Sequence, residues 1–315
     1  MLSFVIPCYR SAKTVGAVVE EIEKTCVNLT QARDGFEIIL VNDGSGDDTW
    51  DAIRQLAETH DEVKSFDLAK NFGQHAALMA GLAHTKGEIV ICLDDDGQTP
   101  ADEAGKLVQA VEEGADVAYA RYSSKQHSAF RNFGSFLNEK MAGTMLGKPK
   151  DLTVSSYFAA RRFVVDEMLK YKGSYPYVIG LVLRTTNRIV NVDVTHRRRE
   201  IGVSGYTFGK LVALWMNGFT AFSIKPLRIA TLSGMLFALF GFIYGIYTVI
   251  KKFVVPDVPV GFSAMMSAVM FIGGMLMLML GMIGEYLGRL YITQNDNPQY
   301  VIRQRAGGRE ESGDA

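Results

Sequence analysis

Ile89-Val90-Ile91-Cys92-Leu93-Asp94-Asp95-Asp96-Gly97-Gln98-Thr99-Pro100 is an apolar run that ends in three consecutive carboxylates and a glycine turn. A short apolar run bounded by turn residues predicts a buried β-strand, which places the acids at its carboxyl end. Side chains of an extended chain repeat every second residue, so Asp94 and Asp96 point to one side and Gln98 extends the row. Two carboxylates and an amide oxygen make a hard-oxygen set suited to Mg2+ or Mn2+, with phosphate oxygens and water completing the shell. The competing reading is capping of the next helix by Thr99 or Asp102. Capping needs one such residue, so three in a row favour the metal.

Working outward, residues 2–6, 36–42, 63–67 and 117–120 read as further strands, and residues 15–29, 50–59, 74–84 and 101–113 as helices between them. Near-continuous apolar strands with helical crossovers predict an α/β domain whose central sheet is mostly parallel and covered on both faces. Ligands of such sheets bind outside the carboxyl ends of the strands. A second strand end, Val41-Asn42-Asp43-Gly44-Ser45, also carries an acid. Asp-Gly is a common turn signal, but the position also suits a carboxylate that accepts hydrogen bonds from a base or ribose. Residues 128–199 read as α+β, with a helix over 129–146, a strand near Tyr157 and another over 189–196. Residues 197–206 read as a loop.

Charge is frequent up to Arg199 and sparse from Leu211 to Gly284. Residues 229–250 and 258–284 carry no charge and are each long enough to cross a bilayer. Arg228 before them and Arg289, Arg303, Arg305 and Arg309 after them place both flanks in the cytoplasm by the positive-inside rule; Lys251 and Lys252 argue the other way but are fewer. Trp215, Phe219 and Phe222 suit interfacial helices. The expected order is a cytoplasmic catalytic domain over 1–205, interfacial helices over 206–227, two transmembrane helices over 228–290, and a partly disordered cytoplasmic tail over 291–315. Without a basic leader before the first strand, the chain is expected as a multi-pass protein of the inner (plasma) membrane. Glycines in both spans suit helix contacts within or between chains, as in a homo-oligomer.

Several classes are excluded. A formal net charge of −1 argues against nucleic acid as a partner. Cys8, Cys26 and Cys92 lack metal-ligand spacing and read as core thiols. No G-x-x-x-x-G-K-[ST] loop occurs, which disfavours a phosphoryl or nucleotidyl transferase.

Together, Phe4-Val5-Ile6-Pro7-Cys8-Tyr9, Val41-Asn42-Asp43-Gly44-Ser45, Lys70-Asn71-Phe72-Gly73-Gln74-His75 and the Asp94–Pro100 run resemble family 2 glycosyltransferases of the GT-A fold, in the subgroup that glycosylates polyprenyl phosphates. The resemblance implies metal-dependent, inverting transfer from a nucleotide-sugar, with uridine the favoured base, to a lipid phosphate such as undecaprenyl phosphate. It implies that Pro7, Tyr9, Asp43 and Asp94 line the nucleotide pocket, and that Asp94, Asp96 and Gln98 hold the metal and diphosphate. Arg121, Arg131, Ser135 and Arg199 match positions that contact phosphates, and guanidinium forks suit that task. Two departures stand out: the family's Asn-Glu after the tyrosine is Arg10-Ser11, and its lysine before Tyr206 is Gly205, for which Arg197 or Arg198 could substitute. They leave open a catalytically weak, nucleotide-sugar-binding membrane anchor that recruits a partner. Asp95, between the two metal aspartates, has no assigned role.

Overall fold

The computed structural model describes residues 1–32, 34–122, 149, 151–195, 261–294 and 297–308, with eight further positions between Leu232 and Ile250. The chain divides into two compact units. One comprises Met1–Thr207 with Asp296–Ala315, and the other Phe208–Asn295.

In the first unit the apolar runs form the expected strands: β1 (Leu2–Cys8), β2 (Phe36–Asn42), β3 (Val63–Leu68), β4 (Ile89–Cys92) and β5 (Val117–Tyr122). Helices α1 (Val15–Asn28), α2 (Thr49–Thr59), α3 (Gln74–Leu82) and α4 (Ala104–Glu112) lie between them, and β6 (Phe158–Arg161), α5 (Arg162–Leu169), α6 (Val178–Thr185) and β7 (Ile189–Val194) follow. The sheet order is β7-β5-β6-β4-β1-β2-β3-β8. It is mostly parallel, and the near-continuous burial of β1 and β2 agrees with a parallel sheet covered on both faces. β6 is antiparallel to both β4 and β5, an insertion that the apolar pattern alone does not announce.

One face of the sheet carries α1, α2 and α4. Phe4, Ile6, Ile38 and Leu40 pack there with Val19, Ile22, Ile53, Leu107 and Val108. On the other face α3 presses close. A Cβ on its Gly81 would stand 2.4 Å from Val5 Cγ1, so only glycine lets this helix sit against the sheet.

Two expected boundaries shift. Within the tail expected to be partly disordered, β8 (Ile302–Ala306) pairs antiparallel with β3, so the first unit takes in residues beyond the expected 1–205. Edge pairing draws on backbone groups, which a Gly-, Arg- and Glu-rich composition does not veto. The second expected span is longer than its uncharged run: α7 (Phe262–Gln294) has 33 residues. Its Phe271–Gly288 window has a mean hydropathy of 1.5 and is wholly unburied, and among the described residues α7 is the one helix apolar enough to cross a membrane. Of the other expected span only the scattered positions are described, and each is helical, so a second crossing is not established.

Candidate active site

The chain winds from β1 through β2 to β3, then crosses to place β4 on the other side of β1. This reversal is a topological switch point, where α/β sheets open a ligand crevice. β1 pairs with β2 as far as Cys8↔Asn42, but with β4 only as far as Val5↔Cys92. The carboxyl ends of β1 and β4 therefore part. Pro7 is tolerated for that reason. Leu93 donates to the Val5 carbonyl, and strand alternation turns the Pro7 nitrogen to the same side, beyond the last β4 pair.

The three acids sit at the mouth of this crevice, each held differently. Asp94 accepts from Gln74 Nε2 at 3.0 Å on Oδ1 and from Ser156 Oγ at 2.5 Å on Oδ2. Asp95 accepts from the Tyr9 amide at 2.9 Å, which ties the β4 loop to the end of β1 and gives this residue the role the sequence left open. Asp96 accepts from the Gln98 amide at 3.0 Å, closing the turn in which Gly97 adopts a φ of 72°. Thr99 donates to the Asp94 carbonyl, and α4 starts at Ala104 without a side-chain cap, so the capping reading of these residues is not realised.

Electrostatics mark the same place. Burial, with the nearby charges of Asp96 and Asp95, pushes the Asp94 carboxyl up to about 6, against the opposing Ser156 and Gln74 donors. Burial likewise raises Asp95, opposed by the Tyr9 amide. Tyr122, at the end of β5, is held above the ordinary phenol range by burial and by the charges of Asp94 and Asp96. A divalent cation would relieve this crowding of carboxylates, and the oxygen donors fit Mg2+ or Mn2+. Among the described residues no three acidic, histidine or cysteine side chains form a complete cage, so such an ion would need oxygens from elsewhere, as a diphosphate supplies.

Asp43 is buried and turned inward. Its carboxylate accepts from the Phe72 amide at 2.7 Å and the Gly73 amide at 2.9 Å, while its carbonyl accepts from Asn71 Nδ2 at 3.1 Å. It thereby holds the loop that leads to Gln74. Gly44 makes the approach feasible: its φ is 60°, and a Cβ there would lie 2.3 Å from the Lys70 carbonyl carbon. Arg121 makes a two-pronged, exposed ion pair with Asp193, at 2.6 and 2.9 Å. Arg131, Ser135 and Arg199 lie outside the described residues. Sequence reasoning missed Ser156 and Tyr122 and gave Gln74 no role. Ser156 carries no local signal beyond preceding a short apolar strand. The three cysteines are buried and free, as expected of core thiols.

Comparison with known proteins agrees with this architecture. Residues 3–169 match Glycosyl transferase family 2, and residues 225–290 match the GtrB C-terminal hairpin. The undecaprenyl-phosphate 4-deoxy-4-formamido-L-arabinose transferase of Proteus mirabilis is 32% identical over 314 residues, covering 97% of this chain and 94% of that protein. Its counterpart in Klebsiella pneumoniae is 32% identical over 307 residues, covering 96% and 93%. A glucosyl-3-phosphoglycerate synthase from Mycobacterium tuberculosis, in complex with Mn2+ and UDP-Glc, has a TM-score of 0.47 at 22% identity, covering 74% of this chain and 77% of that one. The family match and the relatives over nearly the whole chain show that the chain belongs to glycosyl transferase family 2, and its first unit has the α/β, mostly parallel sheet of a GT-A fold. It is a glycosyltransferase.

Proposed function

We propose that this enzyme transfers a sugar, with inversion, from a nucleotide-sugar, preferentially UDP-linked, to a polyprenyl phosphate such as undecaprenyl phosphate. The observation that carries the reading is the gathering of three carboxylates at the switch-point crevice, with Asp94 fixed on both oxygens. The lipid acceptor is supported by relatives named for undecaprenyl phosphate, which match almost the entire chain, and by the apolar helix α7. The reaction would run at the cytoplasmic face of the inner membrane, where a polyprenyl tail can stay in lipid while its phosphate meets the site.

Pro7 and Tyr9 would border the nucleotide, with Asp43 acting through the loop it anchors. Asp94, Asp96 and Gln98 would hold Mg2+ or Mn2+, which when bound stabilises negative charge growing on the departing nucleoside diphosphate. The acceptor is a phosphate monoester with a second pKa of about 6, already anionic near neutrality, so it needs positioning rather than a strong base. Arg131, Ser135 and Arg199 would seat that phosphate. Arg121 would join them only by exchanging Asp193 for phosphate.

The test uses purified full chain, undecaprenyl phosphate and radiolabelled UDP-, GDP- and dTDP-sugars, read as label entering the lipid phase. EDTA should abolish transfer, and Asp96→Asn should lower kcat by about 100-fold or more. Undiminished turnover by Asp96→Asn in metal-free buffer would sink the metal role. Label that stays with water-soluble products would sink the lipid acceptor.

A further inference from the structure

Among the described residues Arg10 is the one non-glycine residue with positive φ, at 57°. For an L-residue that left-handed conformation is costly, by steric contact of its Cβ with the backbone; Gly, which has no Cβ, avoids the cost, and Asn and Asp tolerate it best. The conformation itself has a clear origin. Three successive amides at the end of β1 are each taken by a side chain from a different element: Tyr9 by Asp95 at 2.9 Å, Arg10 by Ser45 Oγ at 3.0 Å, and Ser11 by Thr49 Oγ1 at 3.0 Å. Those bonds fix the turn through the backbone and ask nothing of the side chain at position 10. Glycine or asparagine would satisfy them with less strain. Arg10 is nevertheless there, exposed, with its guanidinium 5.5 Å from the centroid of the half-exposed Tyr9 ring.

Strain retained at an exposed position beside a ligand crevice points to the side chain's use outside folding. The surroundings say which use. Asp94, Asp95 and Asp96 crowd the same mouth, and an anionic donor must approach them. A fixed cation at the rim would offset that repulsion, and a guanidinium offers a planar fork matched to phosphate oxygens. Ser45 fixes the backbone of position 10 and the Tyr9 ring lies beside the guanidinium, so the side chain starts from an anchored base.

We infer that Arg10 is a donor-binding residue that grips the diphosphate of the nucleotide-sugar, at the cost of backbone strain in the free enzyme. The assignment rests on the nucleotide-sugar reading above. It makes a paired prediction that a structural arginine does not, since stability and affinity should move in opposite directions. Thermal melting of the full chain without ligand, and calorimetric titration with UDP, GDP and dTDP in the presence of Mn2+, would measure both. Arg10→Asn should raise the melting midpoint by about 2–4 °C and weaken the preferred nucleoside diphosphate by about 10- to 100-fold. Arg10→Gly frees the backbone in the same way and should weaken binding equally. Arg10→Lys keeps both the strain and the charge, so its midpoint should stay put and its affinity should fall between the others. Wild-type binding that Arg10→Asn and Arg10→Gly leave unchanged would overturn the role of Arg10 alone. A wild-type chain that binds none of the three diphosphates would overturn the nucleotide-sugar reading and this role together.

Discussion

Asp94 is the residue on which the site turns, because both its oxygens are engaged and its carboxyl is pushed up to about 6. An unfolded aspartate titrates near 3.9, so the fold disfavours the ionised form. Below about pH 4 both states are protonated and the penalty is absent. It grows as pH rises and is complete above about 6, where it is on the order of 2–3 kcal/mol. A divalent cation would reverse the penalty, but only once the proton has left. Stabilisation of the protein by Mn2+ should therefore be small at pH 5 and larger at pH 7, read as the shift in melting midpoint, and Asp94→Asn should flatten the difference. Ser156→Ala removes a donor that favours the carboxylate, so it should move this window to higher pH and weaken Mn2+ about tenfold near pH 6. Equal Mn2+ shifts for wild type and Ser156→Ala across pH 5–7 would contradict the assignment. The aspartates were legible in sequence because they are contiguous and end an apolar run. Their holders were not: Gln74 and Ser156 lie 20 and 62 residues away, and only the folded sheet brings them in.

The elements around that site were legible wherever one rule dominated. Strands β1 to β5 are apolar runs closed by turn residues, and the helices between them follow from the crossovers that a parallel sheet demands. The antiparallel entry of β6 between β4 and β5 was not legible, since Phe158-Ala159-Ala160 reads alike in either direction. Junctions between elements carry function as well. The turn after β2 and the loop after β3 meet where Gly44 touches Lys70 and Asn71, and Asp43 then clamps the amides of Phe72 and Gly73. Gly44→Ala would set a Cβ 2.3 Å from one backbone atom and 2.5 Å from another, neither able to swing aside, at a φ that favours glycine. It should cost about 2–4 kcal/mol in urea unfolding. Turnover should fall further than stability alone explains, because the displaced loop carries Gln74 away from Asp94. A substitution that leaves the urea midpoint and kcat unchanged would show that the loop does not need this approach.

At the scale of the molecule, the first unit is made of two stretches of chain that flank the second, and β8 is what the later stretch returns to build. The contrast between charged and uncharged halves made the apolar α7 legible, but composition hid the return, because β8 is mostly exposed and gains its place through backbone pairing. That pairing has consequences at the site. Without β8, β3 would be an open edge, a template for association with other chains. β8 also reaches the start of the loop that Asp43 clamps. The Ala69 amide donates to the Val301 carbonyl at 2.8 Å, and Arg303 donates to the Ala69 carbonyl while facing Asp67. Just ahead of β8, Gln299 Nε2 donates at 2.9 Å to the carbonyls of both Tyr171 and Gly173. Removing residues 297–315 should therefore destabilise the first unit by roughly 3 kcal/mol or more, as several backbone bonds are lost together. It should promote aggregation and lower kcat while α7 remains intact. Arg303→Ala offers a milder form: the strand stays, but its grip on Ala69 and Asp67 goes, so donor KM and kcat should shift with little change in solubility. Normal turnover and solubility in the shortened chain would mean that β8 merely covers an edge. A loss of turnover in Arg303→Ala without aggregation would tie the returning strand to the loop that Asp43 clamps.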